Sequence, residues 1–483
     1  MIVLDGTSLS CSQLAALARC TTKMTIGRDG WERAAAAASA ARTIAAAREV
    51  YGRTTGVGAN RGLTVAESEA GLHGLRLLRS HAGGGGPLID AELGRAMLAV
   101  RANQIAAGGS GVGPGVLTVL ADCVNLGNWP PAPVYGAIGT GDLTSLAVTA
   151  LCLLGERDWL PAGSAQPRFE LDPADALAFI SSNAATLGEA AIFCHDLSWL
   201  LAASTVISAL SHVAAGASAE PYAEPVQQAR AHPGQQEVAA VLRGLLAGEP
   251  ATRARIQDPY GYRALPQVHG PAMDAARYAE RVVTVELNAA AENPLIDVAG
   301  EAVWHNGNFH SAYVGLALDA ARAALFQTAA LSAARLGTLM EPGLTALPPF
   351  LATDPAPSSG LMILEYVSHS ALADIRRLAA PAALGSAVLS LGVEEHAGFA
   401  TQSARSATGV VAAYRVVLAC ELVAAVRALR LRGARPHSRG LAQAFGRAVQ
   451  VLPDSTADRP LDDDLAIAQD LLPDVAQAAT TAG

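Results

Sequence analysis

Lysine is all but missing from this chain. Lys23 is the only one, so arginine carries almost all the positive charge. Charge of either sign is scarce: charged residues are 16% of 483, against about 25% in ordinary soluble proteins. A net charge of −9 and the lack of any lysine/arginine block weigh against a nucleic-acid partner. The arginine bias reads as composition, not as a phosphate-binding device. Six cysteines (Cys11, Cys20, Cys123, Cys152, Cys194, Cys420) are scattered without a CxxC pair. That signals neither a zinc site nor a disulfide framework, so no metal is expected and a cytoplasmic location is. The N-terminus turns polar at Asp5 and lacks the apolar run of a signal peptide.

Aromatics are also few, 5%, although hydrophobic residues reach 51%. Much of the apolar content is alanine and leucine, which favour helix. Long helices packed in a bundle follow, with part of the low-charge surface covered by other subunits. Residues 198–219 are uncharged and long enough to span a bilayer. They nevertheless contain five serines, Thr205 and His212 and have no flanking basic anchors. A buried bundle helix is the reading, and no membrane partner is expected.

Helical periodicity dominates the rest. It predicts helices over 31–50, 65–80, 90–107, 116–126, 143–156, 175–215, 273–292, 312–337, 359–391 and 403–431. Glycine- and proline-rich connectors fall at 82–87, 109–115, 128–142, 258–270, 293–310 and 341–358. The expected fold is mainly α, an elongated central helical bundle with an irregular, glycine-loop-rich N-terminal region. Its parts are 1–200, holding the glycine loops, 201–431, the long-helix bundle, and 432–483, shorter helices.

Three loop segments need a chemical explanation. They are Val50-Tyr51-Gly52-Arg53-Thr54-Thr55-Gly56-Val57-Gly58, Gly136-Ala137-Ile138-Gly139-Thr140-Gly141-Asp142-Leu143, and 257–263 (QDPYGYR) running on to Pro266-Gln267-Val268-His269-Gly270. Neither of the first two carries the lysine of a phosphate loop, and no strand–helix context supports a dinucleotide fingerprint. Each alone reads as a structural turn. Together, and in order, they do not.

The first segment resembles the YGxNTGFG loop of the aromatic amino acid and histidine ammonia-lyase family, which carries its catalytic tyrosine. Ser80-His81-Ala82-Gly83 and Arg101-Ala102-Asn103 are similar to its SHAAG and RAN segments, and the third segment to QDPYSLR and PQVHG. Glu286-Leu287-Asn288 with Glu292-Asn293-Pro294-Leu295-Ile296 resembles ELNSATDNPLI, and Asn306-Gly307-Asn308-Phe309-His310 resembles GGNFHG. Leu347-Pro348-Pro349-Phe350-Leu351, Ser359-Gly360-Leu361-Met362 and Glu394-Glu395-His396 complete a series that begins at Asp5-Gly6-Thr7-Ser8-Leu9.

Members of that family build an electrophile, 4-methylideneimidazole-5-one (MIO), from an internal Ala-Ser-Gly. The glycine nitrogen attacks the alanine carbonyl, whose oxygen leaves as one water, and the serine hydroxyl leaves as a second, so that its Cβ remains as an exocyclic alkene. The family pattern GSxGASGDL is one residue short here. Either the alanine is deleted, or Gly139-Thr140-Gly141 replaces the tripeptide and the deletion lies upstream. The second alignment would allow an ethylidene analogue, more crowded at the attacked carbon. Ring closure requires a compressed loop, and shortening it argues against a working electrophile, so no cofactor is expected.

By the same resemblance, Tyr51 is the loop tyrosine that removes the substrate's β-proton, which requires activation of a phenol at neutral pH. Arg263 grips the substrate carboxylate with its planar fork, and Gln257 and Tyr260 are the polar pair beside the electrophile. Phe309 packs near it. His81 and Glu394 contact the substrate ring as in histidine-selective members. Departures gather near the electrophile: Thr54 replaces the loop asparagine, Val393 precedes Glu394, and the LxNGT asparagine becomes Ser181 or is displaced to Asn183. The expectation is an enzyme acting on a small carboxylate-bearing, amino-acid-derived molecule by tyrosine acid–base chemistry, in a biosynthetic role. One alternative is a histidine or aromatic ammonia-lyase with a Gly-Thr-Gly-derived electrophile. The other is an inactive ligand-binding homologue. The resemblance further implies a homotetramer whose sites are each shared by three chains.

Overall fold

The computed structural model describes residues 1–250, 255–354 and 356–480. The fold is mainly α, and its core is built largely from alanine and leucine. In the helix Arg28–Ala47, Ala34, Ala37, Ala38, Ala41 and Ile44 recur every three or four residues and are buried. Side-chain caps mark several helix starts. Ser10 and Gln13 form a reciprocal box at Cys11–Ala18, and Asp90 accepts from the Leu93 amide at Ala91–Ala107. The longest helices are Ala184–Ala215, Ala312–Met340 and Ala400–Arg432. Stretches within 173–215, 312–340 and 400–432 are long and apolar enough to cross a bilayer. Yet 78%, 56% and 72% of their most apolar windows are buried inside the fold, as bundle helices require.

Several predicted helices end differently; the 273–292 helix is Leu265–Leu287, so the Pro266-Gln267-Val268-His269-Gly270 stretch of the expected connector is helical. The 175–215 helix is interrupted at 181–183, where the Ser182 carbonyl accepts from the Asp142 amide, Ser182 Oγ donates to Gln104 Oε1 and Asn183 Nδ2 donates to Phe309 O. The 359–391 helix is only Ile363–Leu378, because Pro381 cannot continue it.

The chain forms two compact units: 1–195 with 279–319 and 381–405, and 196–278 with 320–380 and 406–483. This differs from the contiguous division into 1–200, 201–431 and 432–483. The reason is that the chain passes from one unit to the other five times, inside long helices at 195/196, 278/279, 319/320 and 405/406 and after a helix end at 380/381. In the first unit three two-stranded sheets tie down loops: Ile2–Leu4 parallel to Met24–Ile26, Gly85–Leu88 antiparallel to Pro133–Tyr135, and Leu295–Asp297 antiparallel to Ala302–Trp304. Several family-like motifs are structural clamps of this unit. Asn103 donates to Leu287 O and Asn288 Oδ1 and accepts from the Gly6 amide, while Asn288 pairs with both backbone groups of Leu9. Arg101, fully buried, donates to Ala178 O, Phe179 O and Glu292. It thereby fixes the segment leading into Ser181.

The second unit is centred on a buried ion pair. Arg335 and Glu421 are both 0% exposed, and the Glu421 carboxylate also accepts from Ser211 and Ser332.

Candidate functional site

A cleft of about 590 Å³ in the first unit collects Tyr51, Thr140, Gly141, Ser181, Ser182, His305, Phe309 and Glu394. That volume suits a small-molecule site. A larger cavity of about 750 Å³ lies in the second unit beside His212, Glu249 and Arg432. It gathers none of the predicted site residues, and burial pushes the His212 imidazole down to about 4, leaving it neutral.

Two of the cleft residues share a foundation. Ala37, Ala41, Ile44, Val50, Ile296 and Val303 form one buried apolar cluster. Full burial of such a side chain contributes about 1.5–3 kcal/mol, so Val50 anchors Tyr51 and Val303 anchors the strand leading to His305. The two groups then meet: the Tyr51 amide donates to His305 Nε2 at 3.3 Å. The Tyr51 loop is pinned further. Thr54 Oγ accepts from the Val50 amide, and Arg53 turns away to a buried ion pair with Asp175 at 2.8 Å. At the working end of the ring, the Gly58 amide donates to the Tyr51 hydroxyl oxygen at 2.8 Å. That contact fixes where the phenolic oxygen sits in the cleft.

The altered loop is held from four sides. Gln402 Nε2 donates to Ala137 O, Phe399 N to Ile138 O and Ser311 N to Gly139 O, while Asp142 N donates to Ser182 O. Gly139 has φ +89°, and a Cβ built on it would lie 2.6 Å from Ala400 N. An alanine therefore does not fit at this position in the loop as folded. Gly141, at φ +130°, also lies where L side chains are strained.

Asp142 closes the loop onto the long helix. Its carboxylate accepts from the amide and hydroxyl of Thr186, in the first turn of Ala184–Ala215. Those bonds and the helix terminus favour the charged form, but burial outweighs them and pushes the carboxyl up to about 6. The folded chain thus holds this proton more tightly than the unfolded chain. The resulting stability is complete below the ordinary carboxylate value near 4 and is lost as pH rises through about 6. Thermal unfolding midpoints should fall between pH 4 and 7, with about 2–3 kcal/mol assigned to this group. In Asp142→Asn that part of the slope should vanish; an unchanged slope would remove Asp142 as its source.

Other predicted residues stand elsewhere. Asn183 is buried, and its Nδ2 donates to Phe309 O at 2.7 Å, so it seats Phe309, while Ser181 and Ser182 line the cleft. His81 is half-buried and its Nδ1 contacts Leu77 O of its own helix; it does not line the cleft. Gln257, Tyr260 and Arg263 belong to the second unit. There Gln257 and Tyr260 are exposed, and the Arg263 guanidinium lies 4.8 Å from the Tyr260 ring centroid. The Arg263 Nε is buried without a hydrogen-bond partner among the described residues. His305, Arg48 and Arg61 line the cleft and were missed in the sequence. His305 directly precedes the Asn306-Gly307-Asn308-Phe309-His310 segment, a signal that marks it, whereas the arginines offer no motif signal. Among the described residues, no three His, Cys, Asp or Glu side chains gather at metal-binding distance.

The fold places the chain among enzymes of the ammonia-lyase and aminomutase class. The chain belongs to the aromatic amino acid lyase family, whose sequence model matches residues 9–450. It is 35% identical to a histidine ammonia-lyase of Sorangium cellulosum (strain So ce56), over 97% of each chain. Its fold is similar to a tyrosine aminomutase of Streptomyces globisporus, with TM-score 0.92, 27% identity and 99% and 98% coverage of the two chains. An ergothionase of Treponema denticola, solved with desmethyl-ergothioneine sulfonic acid, matches with TM-score 0.90, 25% identity and 99% coverage of both chains.

Proposed function

We propose that this enzyme acts on a small carboxylate-bearing, amino-acid-derived substrate by tyrosine acid–base chemistry, without a standard MIO group. The observation that carries the reading is the Gly139 site, where the first residue of an Ala-Ser-Gly precursor does not fit. Tyr51, its oxygen facing the Gly58 amide, moves the proton in an elimination, addition or ring closure. Arg263 holds the carboxylate, a role supported by its planar fork and its unpartnered Nε. Gln257 and Tyr260 act beside it. In the homotetramer that the family implies, each site is shared among three chains. His81 and Glu394 would then face the substrate's ring. A cytoplasmic location fits six free cysteines, five of them buried.

Intact mass tests the reading. The full chain should weigh its calculated mass, whereas a matured electrophile would lower it by two molecules of water. One observation favours the second reading, an ammonia-lyase with an electrophile made from Gly139-Thr140-Gly141. The Ser311 amide donates to Gly139 O at 3.1 Å, polarising the carbonyl that ring closure attacks. A mass short by two waters, with new near-ultraviolet absorbance on incubation with histidine, tyrosine or phenylalanine, would establish that alternative.

A further inference from the structure

The segment that delivers Glu394 to the cleft is a strained turn. Leu389 and Glu394 exchange backbone hydrogen bonds, N–H to O at 2.7 Å in one direction and 3.3 Å in the other. Between them Ser390, Leu391 and Gly392 have φ of +51°, +55° and +83°. A non-glycine residue in this region costs about 1 kcal/mol or more, and two in succession persist only where surrounding contacts enforce them. The contact made here is with the tyrosine loop. Ser390 Oγ accepts the Ala59 amide at 3.1 Å. Gly58, immediately before it, sits at φ +57° and donates its own amide to the Tyr51 oxygen. A Cβ on Gly58 would lie 2.6 Å from Ser390 Oγ, so the approach requires glycine.

We infer that Ser390 is a positioning residue for Tyr51. By gripping Ala59 it fixes the preceding amide that holds the phenolic oxygen, and it ties the turn ending in Glu394 to the tyrosine loop. A strained turn and a glycine with no room for a side chain both serve one contact. This inference rests on the acid–base reading of Tyr51 for its consequence in turnover. The geometry itself can be measured without a substrate.

The test is a pH titration of phenolate absorbance in the full chain, with the Tyr51 component isolated by subtracting the Tyr51→Phe spectrum. Arg48, Glu49, Arg61, His305 and Glu394 line the same cleft and are common to every variant, so their influence cancels in the comparison. In Ser390→Ala the Tyr51 phenolate should appear about 0.5–1 pH unit later than in the parent, the effect of weakening one hydrogen bond. The unfolding midpoint should stay unchanged, and Ser390→Thr should restore the parent titration. Gly58→Ala approaches the same contact from the other side and should delay the phenolate at least as much. Parent-like titration in both Ser390→Ala and Gly58→Ala overturns the inference. So does a shift that comes only with a lowered unfolding midpoint, which would mark a merely structural role. If the titration moves as expected while Tyr51→Phe keeps its turnover, the positioning stands and the acid–base reading fails.

Discussion

Tyr51→Phe is expected to lower turnover by about a hundred- to ten-thousand-fold, the usual worth of a positioned acid–base group. The substitution removes one oxygen and nothing else. Val50 still anchors the loop in its apolar cluster, and Thr54 still accepts the Val50 amide. What disappears is the acceptor of the Gly58 amide and, in the proposed acid–base chemistry, the proton exchanged with substrate. The loss should therefore fall on kcat, with substrate affinity changed no more than a few-fold and the unfolding midpoint preserved. The measurement is steady-state turnover with whichever histidine, tyrosine, phenylalanine or related substrate the parent consumes. Turnover within a few-fold of the parent would remove Tyr51 from the chemistry.

Glu421→Gln should destabilise the second unit by about 3–5 kcal/mol, because it leaves Arg335 buried without a counter-charge. The pair sits at 0% exposure on both sides, with Arg335 Nε and Nη2 at 2.6 and 2.8 Å from the carboxylate. Ser211 and Ser332 complete the acceptor's coordination at 2.7 and 2.5 Å. A glutamine keeps the shape but turns an amide NH2 toward donors. The double variant Arg335→Met with Glu421→Leu should cost much less, since removing both charges also removes their desolvation penalty. Denaturant midpoints measure both. A double variant as unstable as the single one would show that the loss comes from packing and not from a stranded charge.

Much of the helix pattern was legible in the sequence because its signals are local. Asp90 ahead of an apolar repeat predicts the start of Ala91–Ala107, and alanines at every third or fourth position predict the buried face of Arg28–Ala47. The apolar pattern of 359–391 extends past the helix end at Leu378, where Pro381 is the local stop signal. The contacts among motifs were not legible. Nothing in the order of residues says that Asn183 seats Phe309, or that Ser390 reaches Ala59 from 331 positions away. His305 stands beside a recognisable motif, but its partnership with Tyr51 is equally invisible in the order of residues. Its importance comes from standing on the cluster that carries Tyr51, and the sequence separates the two by 254 positions.

The sequence by itself determined the family, the helical class and the departure at Gly139-Thr140-Gly141, since ordered motifs and hydrophobic period are properties of residue type and spacing. Tertiary structure alone decided that an alanine at 139 would collide with the Ala400 amide, and that burial would shift the Asp142 proton. It also decided that the Tyr51 oxygen would meet the Gly58 amide. Each of these depends on distances of a few ångströms between segments that only the packed fold brings together.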